Sequence, residues 1–416
     1  MKKSIWPSEI HGEIEAPASK SVMQRALALA LLSEKPARIT HPSFCLDGLA
    51  ALRVVKQLGG EVRRFPDAVE VSGRKEPKGR ELHCGESGLC LRMFTAVAAL
   101  EDSEYCITGE GSLLKRPVSM MEEPLKRLGA ACRTSRGLPP VHVKGPLQGG
   151  AAVVDGSISS QFVSGLLMAL PLAPENSRLT VHGLTSLPYV DMTLRMMERA
   201  GVKINHDRYA AFSIPGNQSY DLGTLRVPGD WSGAAFWLAA GAVSGPVTVH
   251  GLDSRSPQGD RLMTRALRAA GADVRIFPNA VRVSRRELRG FDFDVGDCPD
   301  LVPPLATTAC FCRGRTVLRG IGRLRYKESD RPRSLLRAFR CLGAEIRLKD
   351  DVMEIHGGEL NGGEVDAAGD HRIAMALAIA AAHARKKVVI RSGDSVIKSY
   401  PEFYRDLVNL GGRVDE

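Results

Sequence analysis

The sequence has no long hydrophobic run. Its most apolar stretches, around residues 26–32 and 373–382, fall well short of the ~20 residues a spanning helix needs. Aromatic residues make up only 5% of the chain, and no block of Lys and Arg of the kind that tracks a nucleic-acid backbone is present. Nine cysteines, an odd number, contain no Cys-x-x-Cys pair. The nearest two, Cys310 and Cys312, lie inside an apolar run, so reduced buried thiols in a cytosolic protein are expected. The histidines show no metal-ligand spacing. The start, Met1-Lys2-Lys3-Ser4-Ile5-Trp6-Pro7, carries two lysines with no apolar run behind them, and no secretory signal is expected.

What is present is length and positive charge. At 416 residues the chain exceeds one ordinary hydrophobic core, which predicts two or three domains. Lys and Arg outnumber Asp and Glu by 57 to 47, giving a net charge of +10. That balance fits a nucleic-acid binder or an enzyme acting on small polyanions, and composition alone leaves both open.

Internal repetition narrows the choice. An amphipathic helix ending in Leu-Gly or Ala-Gly recurs six times, each followed by short strands. Leu52-Arg53-Val54-Val55-Lys56-Gln57-Leu58-Gly59 is the first copy, and Phe339-Arg340-Cys341-Leu342-Gly343 the fifth. The glycines stand at 59, 129, 201, 271, 343 and 411, a step of about 70 residues, and each reads as a left-handed helix cap. A second, more apolar helix begins near Ser19, Glu86, Ser159, Asp230, Pro299 and Asp370 and is expected to be buried.

Two α/β domains of three units each fit this length, cut between residues 224 and 229. The sixth unit lacks its last strand, and the segment Lys3-Ser4-Ile5-Trp6 is the candidate to supply it. The chain then starts in the second domain, builds the first, and returns, through two neighbouring linkers near Gly12 and Arg226 suited to a hinge. The expected domains are 13–225, and 1–12 with 226–416.

Polar residues cluster at the starts of the apolar helices and in the loops before the Leu-Gly helices. The first group holds Lys20, Ser21, Arg25, Arg92, Ser159, Ser160, Gln161, Asp300, His371 and Arg372. The second holds Lys115, Arg116, Ser186, Tyr189, Lys327, Glu328, Asp330, Arg331 and Lys398. Free N–H groups and the dipole at helix starts bind anions, and Arg forks hold carboxylate or phosphate in two-point contacts. Plain structural readings stand beside this one. Ser159-Ser160-Gln161 and Pro17-Ala18-Ser19-Lys20-Ser21 also read as caps, and Lys327-Glu328-Ser329-Asp330-Arg331 as a solvated charge run. Cations in the first turn after Asp370 oppose the dipole unless an anion sits there.

At these positions the sequence resembles the 5-enolpyruvylshikimate-3-phosphate synthases, a family of enolpyruvyl transferases, essentially end to end. The landmarks run in order. Pro17-x-Ser19-Lys20-Ser21-x-x-x-Arg25-Ala26, Gly88-x-x-x-Arg92, Lys115-Arg116-Pro117, Asp155-Gly156-Ser157-x-Ser159-Ser160-Gln161-Phe162 and Pro188-Tyr189-Val190-Asp191 come first. Pro299-Asp300, the Lys327 to Arg331 run, Asp370-His371-Arg372 and Lys398-x-x-Pro401 follow.

The resemblance implies two domains of three βαβαββ repeats, inverse α/β-barrel-like, around an interdomain active-site cleft. It implies that Ser21, Arg25, Ser159, Ser160, Gln161, Ser186, Tyr189, Asp300, Arg323 and Lys327 hold shikimate 3-phosphate. Lys20, Gly88, Arg92, Arg116, Gln161, Arg331, Arg372 and Lys398 would hold phosphoenolpyruvate. Catalysis would fall to Lys20, Asp300, Glu328 and His371. The implied reaction adds the 5-hydroxyl to C2 of phosphoenolpyruvate while C3 gains a proton, then eliminates phosphate, so one base and one acid exchange roles. No cofactor, metal, nucleic acid or membrane is implied; the expected enzyme is a cytoplasmic monomer.

Four residues depart from the family pattern. Leu89 and Met93 stand where the family usually has Thr and Pro, Glu86 where Asn is common, and Arg323 where Asn often contacts the shikimate phosphate. Glyphosate, which mimics phosphoenolpyruvate in this family, is therefore expected to bind less well. The sister transferase for UDP-N-acetylglucosamine carries an Ala-Lys-Asn signature and a loop cysteine. Here Ser19-Lys20-Ser21 stands instead, and no cysteine lies between Thr108 and Ala131.

Overall fold

The computed structural model describes residues 1–74 and 76–415. They fall into two compact units, one of residues 20–227 and one of residues 1–19 with 228 onward. Each unit holds three four-stranded sheets of one design. In the sheet of the second repeat, the strand Glu81–His83 runs parallel to Glu104–Thr108. That strand is antiparallel to Leu138–Lys144, which pairs with Ala131–Ser135. One helix follows the first strand and another the second, which makes the βαβαββ repeat.

The helices follow the two sequence patterns. The apolar set comprises Lys20–Leu32, Gly88–Ala98, Ser160–Ala169, Trp231–Val243, Val302–Ala309 and His371–Ala381. These are buried almost all round; in Trp231–Val243 every residue is. The Leu-Gly helices keep one wet face. In Arg331–Cys341, Leu335, Ala338 and Phe339 point inward while Arg333, Arg337 and Arg340 are exposed. All six capping glycines, 59, 129, 201, 271, 343 and 411, have φ between +89° and +97°, where a side chain would be strained. Two apolar helices of the 20–227 unit nearly touch at Gly165, where an added Cβ would lie 2.8 Å from the Met93 backbone.

The strand Lys3–Trp6 lies between Val388–Arg391 and Arg413–Asp415, antiparallel to both, and completes the sixth sheet as the sequence predicts. The unit boundaries differ from the sequence expectation of 12/13 and 225/226. The strand Gly12–Glu15, which leads the first repeat in sequence, pairs in parallel with Val247–His250 of the fourth. Thr224–Arg226, which leads the fourth, pairs in parallel with Ala37–Thr40 of the first. The two leading strands have exchanged sheets, so the chain changes unit after them, at 19/20 and 227/228. Backbone bonds from Ser19 N to Pro228 O and from Asp230 N to Pro17 O tie the two crossing segments together at 2.8 and 2.7 Å.

All nine cysteines are free, and six of them are buried. Among the described residues no helix is long and apolar enough to cross a membrane.

Candidate active site

In the unit of residues 20–227 the site is built at the start of Gly88–Ala98. Ser87 caps this helix, its hydroxyl accepting from Cys90 N at 3.3 Å and donating to Gln24 Oε1 at 2.9 Å. One turn on, Arg92 is 4% exposed. It donates through Nη1 to Gln161 Oε1 at 2.8 Å and through Nη2 to Pro117 O at 3.0 Å. Arg116, 5% exposed, donates through Nη2 to Ser112 Oγ at 2.8 Å. These groups converge on Gly88. A Cβ there would lie 2.8 Å from Arg92 Nη1, 3.1 Å from Arg116 Nη1 and 3.4 Å from Gln161 Oε1. Two largely desolvated guanidiniums at one helix start are an arrangement suited to a small anion.

Lys20 opens its helix and pairs with Asp47 Oδ2 at 2.9 Å, both side chains mostly buried. Ser159 is a cap, accepting from Gln161 N at 3.2 Å, and Ser160 beside it is 5% exposed. Ser186 sits in left-handed geometry (φ 54°) ahead of Leu187–Arg199, which carries Tyr189 in its first turn. Arg25 lies on the same helix as Lys20 and Ser21. Its guanidinium points into the unit and donates to Thr193 Oγ1 at 2.8 Å, Ser21 O at 3.1 Å and Tyr189 O at 3.2 Å. Burial pushes it down to about 10, still charged at neutral pH. Arg25 thus fastens the segments bearing Ser21 and Tyr189.

The unit of residues 1–19 and 228 onward gathers the acid–base candidates. Three carboxylates and three cations form one network around Arg331. Arg331 donates through Nε to Asp370 Oδ2 at 2.9 Å, through Nη1 to Asp300 Oδ1 at 2.9 Å, and through Nη2 to Glu328 Oε2 at 2.5 Å. Arg372 Nη2 lies 3.1 Å from Asp300 Oδ2, and Lys327 Nζ 3.7 Å from Asp300 Oδ1. Asp370 also caps His371–Ala381, accepting from Arg372 N at 3.0 Å, and accepts from Ser329 Oγ at 3.1 Å. Arg331, which the sequence reading assigns to phosphoenolpyruvate, is fully buried and held by three carboxylates.

Charge balance in this network sets the protonation states. Burial alone would raise the Asp300 carboxyl, but Arg372, Lys327 and Arg331 outweigh it and hold it well below the usual carboxylate range. Lys327 moves down from the ordinary lysine value, because burial costs its charge more than Asp300 returns. Burial works against Arg331 too, yet Asp370, Glu328 and Asp300 keep it permanently charged.

His371 opens its helix with 1% exposure. Lys398 Nζ donates to Gly369 O at 2.8 Å, which places it at the turn before Asp370. Arg323 donates to Gly296 O, on the loop before Asp300, and its charge reaches Lys327. Sequence reasoning did not find Asp47, Ser112 or Thr193, and it gave Asp370 no role in the site. Nothing in their local sequence marks them, since each works through a partner distant in the chain.

Two three-repeat units of this build, with cations at their helix starts, define the enolpyruvyl transferase fold. NikO of Streptomyces tendae, an enolpyruvyl transferase, superposes with a TM-score of 0.80 over 100% of this chain and 98% of its own, at 17% identity. EPSP synthase of Acinetobacter baumannii superposes with a TM-score of 0.84 over all of both chains, at 25% identity. The chain belongs to the EPSP synthase family (3-phosphoshikimate 1-carboxyvinyltransferase), whose model matches residues 6–407. The 3-phosphoshikimate 1-carboxyvinyltransferase of Clostridium kluyveri is 38% identical over 99% of this chain and 98% of the relative. That of Aeropyrum pernix is 40% identical over 99% and 96%.

Proposed function

We propose that this chain transfers the enolpyruvyl group of phosphoenolpyruvate to the 5-hydroxyl of shikimate 3-phosphate, releasing phosphate, in aromatic amino acid biosynthesis. The observation that carries the reading, beside family membership, is the convergence of Arg92, Arg116 and Gln161 on the bare helix start at Gly88. Phosphoenolpyruvate, with a phosphate and a carboxylate on three carbons, satisfies both guanidiniums at once. Lys20, Arg372 and Lys398 complete its cation set. Ser21, Ser159, Ser160, Ser186, Tyr189, Arg323 and Lys327 hold shikimate 3-phosphate, with Arg25 holding Ser21 and Tyr189 in place.

Asp300 and Glu328 are the proton-transfer pair, with Lys20 assisting and His371 orienting. A carboxylate surrounded by Arg372, Lys327 and Arg331 is a weak base. Binding of a polyanion beside Arg372 and Lys327 offsets those cations and raises the basicity of Asp300 toward the working pH. The nine free cysteines suit a reducing cytoplasm.

The test is phosphate release by the purified protein with phosphoenolpyruvate and shikimate 3-phosphate, UDP-N-acetylglucosamine or no acceptor. Release only with shikimate 3-phosphate, abolished in Lys20→Met, is expected. Release with UDP-N-acetylglucosamine, or none from folded protein with either acceptor, sinks the reading.

A further inference from the structure

Glu86 places a negative charge in the turn that leads into Gly88–Ala98, close to the two arginines. Its carboxylate is engaged by a second turn. Glu86 Oε2 accepts from Ser112 N at 3.1 Å and from Ser112 Oγ at 2.9 Å. The Ser112 hydroxyl in turn accepts from Arg116 Nη2 at 2.8 Å. With its proton directed to Glu86, the Ser112 oxygen presents its lone pairs to Arg116, so carboxylate, hydroxyl and guanidinium form one polarised chain.

The two turns are locked back to back. Cys84 N donates to Thr108 O at 2.9 Å, and Glu110 N to Gly85 O at 2.9 Å. Gly111 has φ +56°, and a Cβ there would fall 2.6 Å from the Glu86 carboxyl carbon. The backbone bends at Gly111 so that the carboxylate can close over Ser112. Arg116 is thereby held through its side chain by Ser112 and at its backbone by Leu113 O, 3.1 Å from its amide nitrogen. Its other terminal nitrogen, Nη1, faces Gly88.

We propose that Glu86 is a positioning residue for the anion site at Gly88, acting through Ser112 to fix the Arg116 guanidinium toward phosphoenolpyruvate. This rests on the assignment of Arg116 to that substrate. The carboxylate also offsets part of the charge that Arg92 and Arg116 bring to one point, which lets both stay buried.

The experiment compares Ser112→Ala, Glu86→Ala, Glu86→Gln and the Glu86→Ala/Ser112→Ala double variant with the wild type in full-length protein. Steady-state KM and kcat are measured for each substrate, with melting temperatures as a check on folding. Ser112→Ala and Glu86→Ala are each expected to raise KM for phosphoenolpyruvate about tenfold and to leave KM for shikimate 3-phosphate within about twofold. The double variant is no worse than the worse single one, because the two residues act in series. Glu86→Gln, which retains an acceptor oxygen, recovers most of the loss. A Ser112→Ala enzyme with unchanged KM for phosphoenolpyruvate overturns the proposal, as does an equal rise for both substrates. Calorimetric titration with inorganic phosphate separates the two layers of the argument. If the wild type shows no turnover, the functional reading fails. Weaker phosphate binding in Ser112→Ala then still supports the positioning role, and equal binding overturns it.

Discussion

Asp300 and Arg372 meet at 3.1 Å, and that contact joins an acid–base candidate to an anion-binding one on the first turn of a buried helix. Asp300 is the shared partner of three cations, so its loss leaves Arg372, Arg331 and Lys327 short of an anion. Removing one partner from such a buried network costs about 3 kcal/mol.

Asp300→Asn is therefore expected to lower the unfolding free energy by about that amount and to abolish turnover, as read by urea denaturation and phosphate release. The pH dependence has a fixed sign. The folded-state value of Asp300 lies below its unfolded value of about 4. Its contribution to stability is full above about 4 and fades as pH falls through the folded value. Asp300→Asn should lose that acid-limb slope; an unchanged slope would place the titration elsewhere.

Lys327 titrates early on the alkaline side, since burial lowers it from the ordinary lysine value. KM for shikimate 3-phosphate is expected to climb at a pH below about 10.5, where a free lysine is still protonated. Stability moves the other way, rising with pH over the same interval, because the unfolded chain holds the proton longer. Lys327→Arg should flatten the KM limb. A limb that survives this substitution belongs to another group.

Gly88→Ala would place a methyl group 2.8 Å from Arg92 Nη1 and 3.1 Å from Arg116 Nη1. Both are ends of flexible side chains, so the fold adjusts and the anion site does not keep its shape. KM for phosphoenolpyruvate should rise about tenfold with KM for shikimate 3-phosphate nearly unchanged. Matching KM values for wild type and variant would remove Gly88 from the site.

Leu89 follows Gly88 in the first helical turn and is 6% exposed, a buried isobutyl group where the sequence reading expects a Thr. Glyphosate is expected to inhibit this enzyme less than a Thr- and Pro-bearing relative, and Leu89→Thr to restore part of the sensitivity. Equal inhibition constants for the two wild-type enzymes would show that Leu89 and Met93 do not shape the site.

The repeat was legible because a Gly cap and an apolar helix are local events that recur in sequence. All six glycines have the left-handed geometry that their place after Leu or Ala predicts. The missing strand of the sixth sheet was legible for the same reason, as a count that did not close. Sheet membership of Gly12–Glu15 and Thr224–Arg226 was not, because a leading strand carries no mark of its partner. The arginines show the limit of motif reading. Arg25 meets Thr193 and Arg331 meets Asp370, partners 168 and 39 residues away, in pairings that no motif names. Glu86 was legible only as an oddity. Its explanation lies 26 residues on, at Ser112.

The strand Lys3–Trp6 has a consequence for how the protein is made. It pairs with Val388–Arg391 and Arg413–Asp415, so a segment made before the 20–227 unit waits for strands made after it. The unit of residues 20–227 has all its strands once Arg226 has emerged and can fold during synthesis. Its companion closes only once Arg413–Asp415 has emerged, through contacts between segments far apart in sequence. Trimming the last few residues is expected to strand Lys3–Trp6 without one neighbour and to harm the second unit alone. In this chain the arginines around Gly88 are brought together early, and the acids around Arg331 later.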